Sequence, residues 1–127
     1  MTKRETLSSE GAPGAIGPYS QAVRAGGFIF VSGQIPISSA TGEVISGGIA
    51  RQTEAVLKAA AAILEDAGSG LGKAVKVTVY MTDLGSFGEM NEVYARFFPN
   101  EPPARAAVQV AALPKGVDIE VEVIALG

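Results

Sequence analysis

Residues 49–67 carry the pattern that most narrows what this chain can fold into. Ile49, Thr53, Val56, Ala60, Ile63 and Ala67 recur at the spacing of one helical face. The alanine-rich middle favours helix and lets another layer approach closely. Arg51, Glu54, Lys58 and Glu65 fall on the solvent side, and Gly68 is placed to cap the C-terminus. A helix with one apolar stripe must cover something apolar, and the segments around it have the period of strands.

Tyr19-Ser20-Gln21-Ala22-Val23-Arg24-Ala25 reads as a strand, Gly26-Gly27 as a two-residue hairpin turn, and Phe28-Ile29-Phe30-Val31-Ser32 as the returning strand. That second strand is apolar almost throughout, which predicts cover on both faces. Gly33 follows at once, where glycine permits a positive φ or the close approach of a ligand. Residues 37–48 read as loop. Residues 73–81 alternate as a strand with Val75, Val77, Val79 and Met81 on one face. A second helix is predicted from Ser86, with Glu89 completing a capping box, and it carries the stripe Phe87, Met90, Val93, Tyr94 and Phe97. Pro99 ends it.

Pro102-Pro103 then forces an extended entry into Ala104-Arg105-Ala106-Ala107-Val108-Gln109-Val110. Alternation puts Arg105, Ala107 and Gln109 on one face and Ala106, Val108 and Val110 on the other, and the second set reads as core. Leu113-Pro114-Lys115-Gly116 is a turn, and 118–126 the last strand. The first 18 residues read as Gly-, Ser- and Pro-rich loop, with room for a short edge strand. The order β-β-α-β-α-β-β predicts an α+β fold in one domain over residues 1–127, with two helices on one face of a mixed sheet. The partly apolar other face predicts burial against a second copy.

Absences narrow the chemistry. The 127 residues include no Cys, His or Trp. Thiolate catalysis and disulfides are excluded, acid–base work falls to carboxylates, Tyr, Lys or water, and a Ser-His-Asp triad is impossible. Without Cys and His, zinc and haem sites are disfavoured, and an all-oxygen magnesium or calcium site is the formal remainder. The net charge of −3 with scattered Lys and Arg leaves no electrostatic footprint for nucleic acid. No apolar run is long enough to span a bilayer and no secretory leader is visible, which predicts a cytoplasmic protein without membrane partners. Phosphate-loop and dinucleotide fingerprints are missing.

Arg105, beside small alanines, suits a bidentate grip on a carboxylate, or else an ion pair on the sheet. A hairpin on Pro114-Lys115 would set Gln109 opposite Glu120 and bring Arg105 and Glu120 to one face. There Glu120 would orient or deprotonate water, or else form a plain cross-strand ion pair or part of a solvated acidic edge. Tyr19 could offer its hydroxyl to a ligand or be simply half-buried. Ser32 could give a hydroxyl or backbone N–H to a carboxylate, or bond a neighbouring strand. Asn91, on the second helix, is either solvated or pocket-lining.

Gly17-Pro18-Tyr19-Ser20-Gln21-Ala22, Val31-Ser32-Gly33-Gln34-Ile35-Pro36, Thr41-Gly42-Glu43, Asn91-Glu92-Val93-Tyr94 and Pro103-Ala104-Arg105-Ala106, continuing to Ile119-Glu120-Val121, together resemble the RidA family. These are the reactive-intermediate deaminases, also called the YjgF or liver perchloric-acid-soluble protein family. The resemblance implies a chorismate-mutase-like fold in a homotrimer with a central β-barrel and active sites in clefts between subunits. It implies cofactor-free hydrolysis of enamines and imines such as 2-aminoacrylate and 2-iminobutyrate to 2-keto acids and ammonia. By position, Arg105 would hold the substrate carboxylate, Glu120 would orient water, and Tyr19, Ser32, Gly33 and Asn91 would line the pocket. Many deaminating members carry Cys where this chain has Ala107. The rival readings are a 2-keto-acid binding protein without turnover, a ribonuclease or translation inhibitor as in older family names, and a holdase.

Overall fold

The computed structural model describes residues 3–127; the first two residues of the N-terminal stretch considered above lie outside it. Six strands, β1 (Arg4–Leu7), β2 (Ala22–Ala25), β3 (Phe28–Gln34), β4 (Ala74–Met81), β5 (Ala104–Gln109) and β6 (Ile119–Leu126), form one sheet in the order β1-β2-β3-β6-β4-β5. Two helices, α1 (Ile49–Asp66) and α2 (Phe87–Phe97), complete the α+β architecture. α1 packs on β3 and β6, and α2 packs against α1. No helix among the described residues is long and apolar enough to cross a membrane.

The core follows from period. Ile119, Val121, Val123 and Ala125 of β6 and Val77, Val79 and Met81 of β4 are buried. They meet Val56, Leu57, Ile63 and Leu64 of α1, each of which loses its water contact on folding. On the solvent side of α1, Glu54 and Lys58 form an i,i+4 ion pair at 2.9 Å. Gly26 and Gly27 both have positive φ, as a two-residue turn of right-handed twist requires, and β2 and β3 form the predicted hairpin.

α1 closes with a pair of backbone hydrogen bonds at its C-terminus. Ser69 N donates to Leu64 O at 2.8 Å and Gly68 N donates to Glu65 O at 3.0 Å, with Gly68 at φ 83°. Arg24 then donates to the carbonyl of Ala67, just past the helix.

The structure corrects several sequence expectations. β5 and β6 do not form a hairpin. β5 pairs in parallel with β4, and β6 runs antiparallel to both β4 and β3, between them. α2 supplies the crossover that a parallel pair needs. The faces of β5 are inverted as well. Arg105, Ala107 and Gln109 align with the buried Val77, Val79 and Met81, while Ala106 and Val108 align with Thr78 and Tyr80 on the helix-free face. Ala106 and Val108 are therefore not core; Val108 is 41 % exposed. Phe28 and Phe30 also lie bare on that face, so β3 is covered on one side only within a single chain. Val75 leaves the core because a bulge falls between Ala74 and Lys76.

Two ends differ too. β2 starts at Ala22 rather than Tyr19, because residues 19–21 curl into the loop network. Gln21 Nε2 donates to Pro13 O at 2.7 Å while its Oε1 accepts from Ser9 N at 2.6 Å. Ser86 precedes α2 but makes no side-chain cap. A 3-10 turn, Leu84–Ser86, enters the helix, and Asp83 accepts from Gly85 N at its start.

The left-handed conformation at position 68 costs any residue with a Cβ. Gly68→Ala is expected to lower unfolding free energy by about 1–2 kcal/mol, read as a reduced midpoint in urea with unchanged slope.

Candidate functional site

The six candidate residues fall into two groups on opposite faces of the sheet. The first is built around Arg105. β5 is an edge strand, and near its start Arg105 points to the helix side, where α2 lies. Arg105 Nη1 donates to Asn91 Oδ1 at 2.6 Å. The guanidinium carbon stands 4.7 Å from the ring centre of Tyr94 and 5.3 Å from that of Phe87. No carboxylate pairs with it among the described residues. Arg105 is exposed, so its other N–H groups are free to meet an anion. The alternative of an ion pair on the sheet is not realised. Asn91 is not a bystander in solvent either; it is engaged by the arginine.

The second group surrounds Glu120. Val31 pairs with Val123 and Gln34 with Val121, so Ser32 and Gly33 together oppose Glu122 in a bulge. The bulge brings Gly33 under the Glu120 carboxylate: a Cβ at position 33 would collide with it. Here glycine leaves room for the Glu120 side chain where it lies, and no positive φ is involved. Ser32 bonds its neighbouring strand, its hydroxyl donating to Ser20 O at 2.6 Å. Tyr19, half exposed, joins Gly33, Gln34, Ile35, Ile37 and Lys115 around a cleft of about 210 Å³. Glu120 does not line that cleft and adjoins it only through Gly33; a wider hollow of about 700 Å³ along Ser8, Ser9 and Asp66 also reaches Tyr19, and it too holds neither Arg105 nor Glu120.

Arg105 and Glu120 are thus not on one face, as the hairpin register had implied. Arg105 aligns with Val77 on the helix side, and Glu120 aligns with Tyr80 on the other. β4 runs between their strands. Within one chain the two side chains therefore leave opposite faces of the sheet.

Electrostatics mark Glu120. Burial raises its carboxyl above the ordinary glutamate value, and the neighbouring Glu122 charge raises it further. Glu122 is itself occupied, accepting from Tyr80 Oη at 2.8 Å. That hydrogen bond, then burial, pushes the Tyr80 hydroxyl up. No group of three or more His, Cys, Asp or Glu side chains among the described residues could hold a metal ion.

Sequence reasoning passed over Phe87 and Tyr94 as ordinary stripe residues and gave Lys115 no role. The available signal for the first two was spacing, since Phe87 and Tyr94 share a helical face with Asn91.

Known proteins resemble this chain over nearly its whole length. The family model described as Endoribonuclease L-PSP matches residues 9–127. A human 2-iminobutanoate/2-iminopropanoate deaminase is 46 % identical, over 97 % of this chain and 90 % of its own length. A RutC family protein of Pyrococcus abyssi is 54 % identical over 96 % of both chains. The crystal structure of E. coli TdcF with bound serine superposes with a TM-score of 0.92 at 43 % identity, covering 97 % of this chain and 99 % of that one.

Carboxyl-resolved NMR titration is expected to place the Glu120 midpoint above that of an ordinary glutamate, and Glu122→Gln to bring it partway down. The sign for stability follows. The native state holds this proton more tightly than the unfolded chain, so the group's contribution is full below the ordinary carboxylate range. It is lost as pH rises through the shifted midpoint.

Proposed function

The chain belongs to the RidA/YjgF/L-PSP family, and from that premise we propose that it hydrolyses 2-aminoacrylate- and 2-iminobutyrate-type enamines and imines to 2-keto acids and ammonia. The observation that carries this reading is the Arg105 guanidinium: unpaired with any carboxylate among the described residues, oriented by Asn91, and open to an anion. The human relative's name supplies the reaction class.

In the proposed mechanism, Arg105 grips the substrate carboxylate through two parallel N–H donors. Glu120 holds water against the imine carbon. An enamine first takes a proton at its terminal carbon, becoming the electrophilic iminium. Water adds to C2, its proton passing to Glu120; Glu120 returns that proton to the nitrogen, and the carbinolamine collapses to the 2-keto acid as ammonia leaves and the C2 hydroxyl gives its proton to solvent. An imine is electrophilic before any enzyme touches it, so placement and proton transfer suffice without His, Cys or a cofactor. A carboxyl held above its ordinary value has a protonation equilibrium closer to neutral pH, which suits a group that both takes and returns a proton.

The two residue groups meet only if they come from different copies. One copy supplies Arg105 and Asn91, and the next supplies Glu120, Gly33, Ser32 and the Tyr19 cleft. The helix-free sheet face supports this, with Phe30 at 44 % and Leu126 at 48 % exposure in one chain. Burying that face in a trimer with a central barrel removes the patch and assembles three sites. The ribonuclease reading finds no support in a chain of net charge −3 without His.

Coupling to a threonine or serine dehydratase, with semicarbazide trapping the intermediate, is expected to show faster keto-acid release. Arg105→Ala should abolish the acceleration, and Glu120→Gln should lower it by about 10²–10⁴-fold. Mixed and reassembled, the two inactive variants should recover part of the activity, because some clefts then combine an intact Arg105 with an intact Glu120. No recovery would place both residues of each site in one chain. Retained 2-oxobutanoate binding with no acceleration by wild type would leave a binding protein.

A further inference from the structure

Arg105 has more structure around it than a surface ion-binding arginine requires. It stands on an edge strand, exposed, with a long side chain that would otherwise sample many rotamers. Yet three residues of one α2 face converge on it. Phe87 and Tyr94 present their ring faces to the guanidinium at 5.3 Å and 4.7 Å, and Asn91 takes one N–H at 2.6 Å. Tyr94 is braced in turn: it is 6 % exposed and its ring centre lies 4.6 Å from that of Phe98.

Among the described residues of one chain, the buried Tyr94 hydroxyl meets no hydrogen-bond partner. A polar group in that state costs stability rather than adding to it. What position 94 contributes is therefore its ring. Asn91 is equally specific. A guanidinium has no acceptor, so the amide must meet it through oxygen. An asparagine fixes one Nη1 N–H without cancelling the charge, whereas an aspartate at the same place would compete with the incoming carboxylate.

We propose that Tyr94 and Phe87 are positioning residues for Arg105, holding the plane of its guanidinium, and that Asn91 acts through the arginine by fixing the rotation of that plane. The cradle rests on the reading of Arg105 as the carboxylate receptor. It orders the receptor before the ligand arrives, so binding loses less side-chain entropy. Carboxylate affinity then depends on two rings that need not touch the substrate, and on a neutral side chain between them.

The test uses the full-length protein and two readouts. The first needs no ligand: NMR of the arginine Nε–H group. Wild-type Arg105 is expected to show a ring-current-shifted resonance with slow guanidinium rotation. Tyr94→Leu should return it to the position and rotation rate of a free arginine, and Tyr94→Phe should keep it. The second is calorimetric titration with 2-oxobutanoate alongside coupled kinetics. Tyr94→Leu or Phe87→Leu should raise Kd and KM by about three- to thirtyfold with kcat nearly retained, the pattern of a lost ground-state grip. Tyr94→Phe should restore wild-type affinity, and Asn91→Asp should weaken binding more than Asn91→Ala.

A merely structural role would lower kcat through a smaller active fraction and leave KM alone. If Tyr94→Leu does not fold, the half-buried Phe87→Leu decides by the same readouts. An unshifted Arg105 resonance in a folded leucine variant overturns the cradle, as does a Tyr94→Phe variant as impaired as Tyr94→Leu. Wild type that neither binds 2-oxobutanoate nor speeds keto-acid release defeats the functional reading instead, and the arginine resonance still decides the cradle.

Discussion

The position of β6 governs the rest of the molecule. β3 and β4 run parallel to each other, separated by the width of one strand, and the last strand of the chain fills the gap antiparallel to both. Its inward residues, Ile119, Val121, Val123 and Ala125, become the floor of the core beneath α1. Its outward residues, Glu120 and Glu122, are carried to the helix-free face as a consequence of the same alternation. The insertion also leaves β4 with only its far edge open, where β5 adds in parallel behind the α2 crossover. A single topological fact thus separates Glu120 from Arg105 and sends their side chains to opposite sides of the sheet.

That fact could not be read from residues 102–126 taken alone. The local pattern, strand, Pro-Lys-Gly turn, strand, is that of a hairpin, and hairpin pairing is the default between neighbours in sequence. What overrode it is tertiary: β6 has an apolar face complete enough for the middle of a sheet, while β5, with Arg105 and small alanines, is fit for an edge. The face inversion at β5 has the same origin. Ala106 and Val108 are as apolar as core residues, but the apolar surface they join is the helix-free face, with Phe28 and Phe30. Most periods and the glycine turns elsewhere transferred, because they are local, although the Ser86 cap and Val75 did not. Both helices, the Gly26-Gly27 hairpin and the Gly68 terminus lie where spacing put them. The bulge at Ser32 and Gly33 was only half legible, as a glycine that needed a reason. The reason, a carboxylate from β6 packed over it, required the topology.

The two residue groups differ in how they are prepared for their proposed work. Arg105 is kept exposed and charged, and it is ordered by neutral partners that do not cancel its charge. Glu120 is half-buried beside a second carboxylate, and its charged form is disfavoured. An anion receptor gains from a fixed, unneutralised cation, and a proton carrier gains from a carboxyl that does not give up its proton too readily. Each environment suits one role and would spoil the other. Separating them on opposite faces lets both be built without compromise.

Separation has a further consequence for how activity and assembly are linked in the proposed enzyme. The apolar residues Phe28, Phe30, Val108 and Leu126 cover the same face that carries Glu120 and Glu122. Burying that patch against other copies is favourable through the hydrophobic effect alone, with no contribution from substrate. The same burial raises the desolvation that already shifts Glu120. Juxtaposing a partner's guanidinium acts in the opposite sense, because a nearby cation favours the carboxylate. Assembly would therefore complete the site and retune its carboxylate in one step. A lone chain would hold a receptor without a water-directing group on one face and a carboxylate without a receptor on the other. On this reading, deaminase activity belongs to the assembled interface, and the apolar sheet face is as much a part of the catalyst as Arg105.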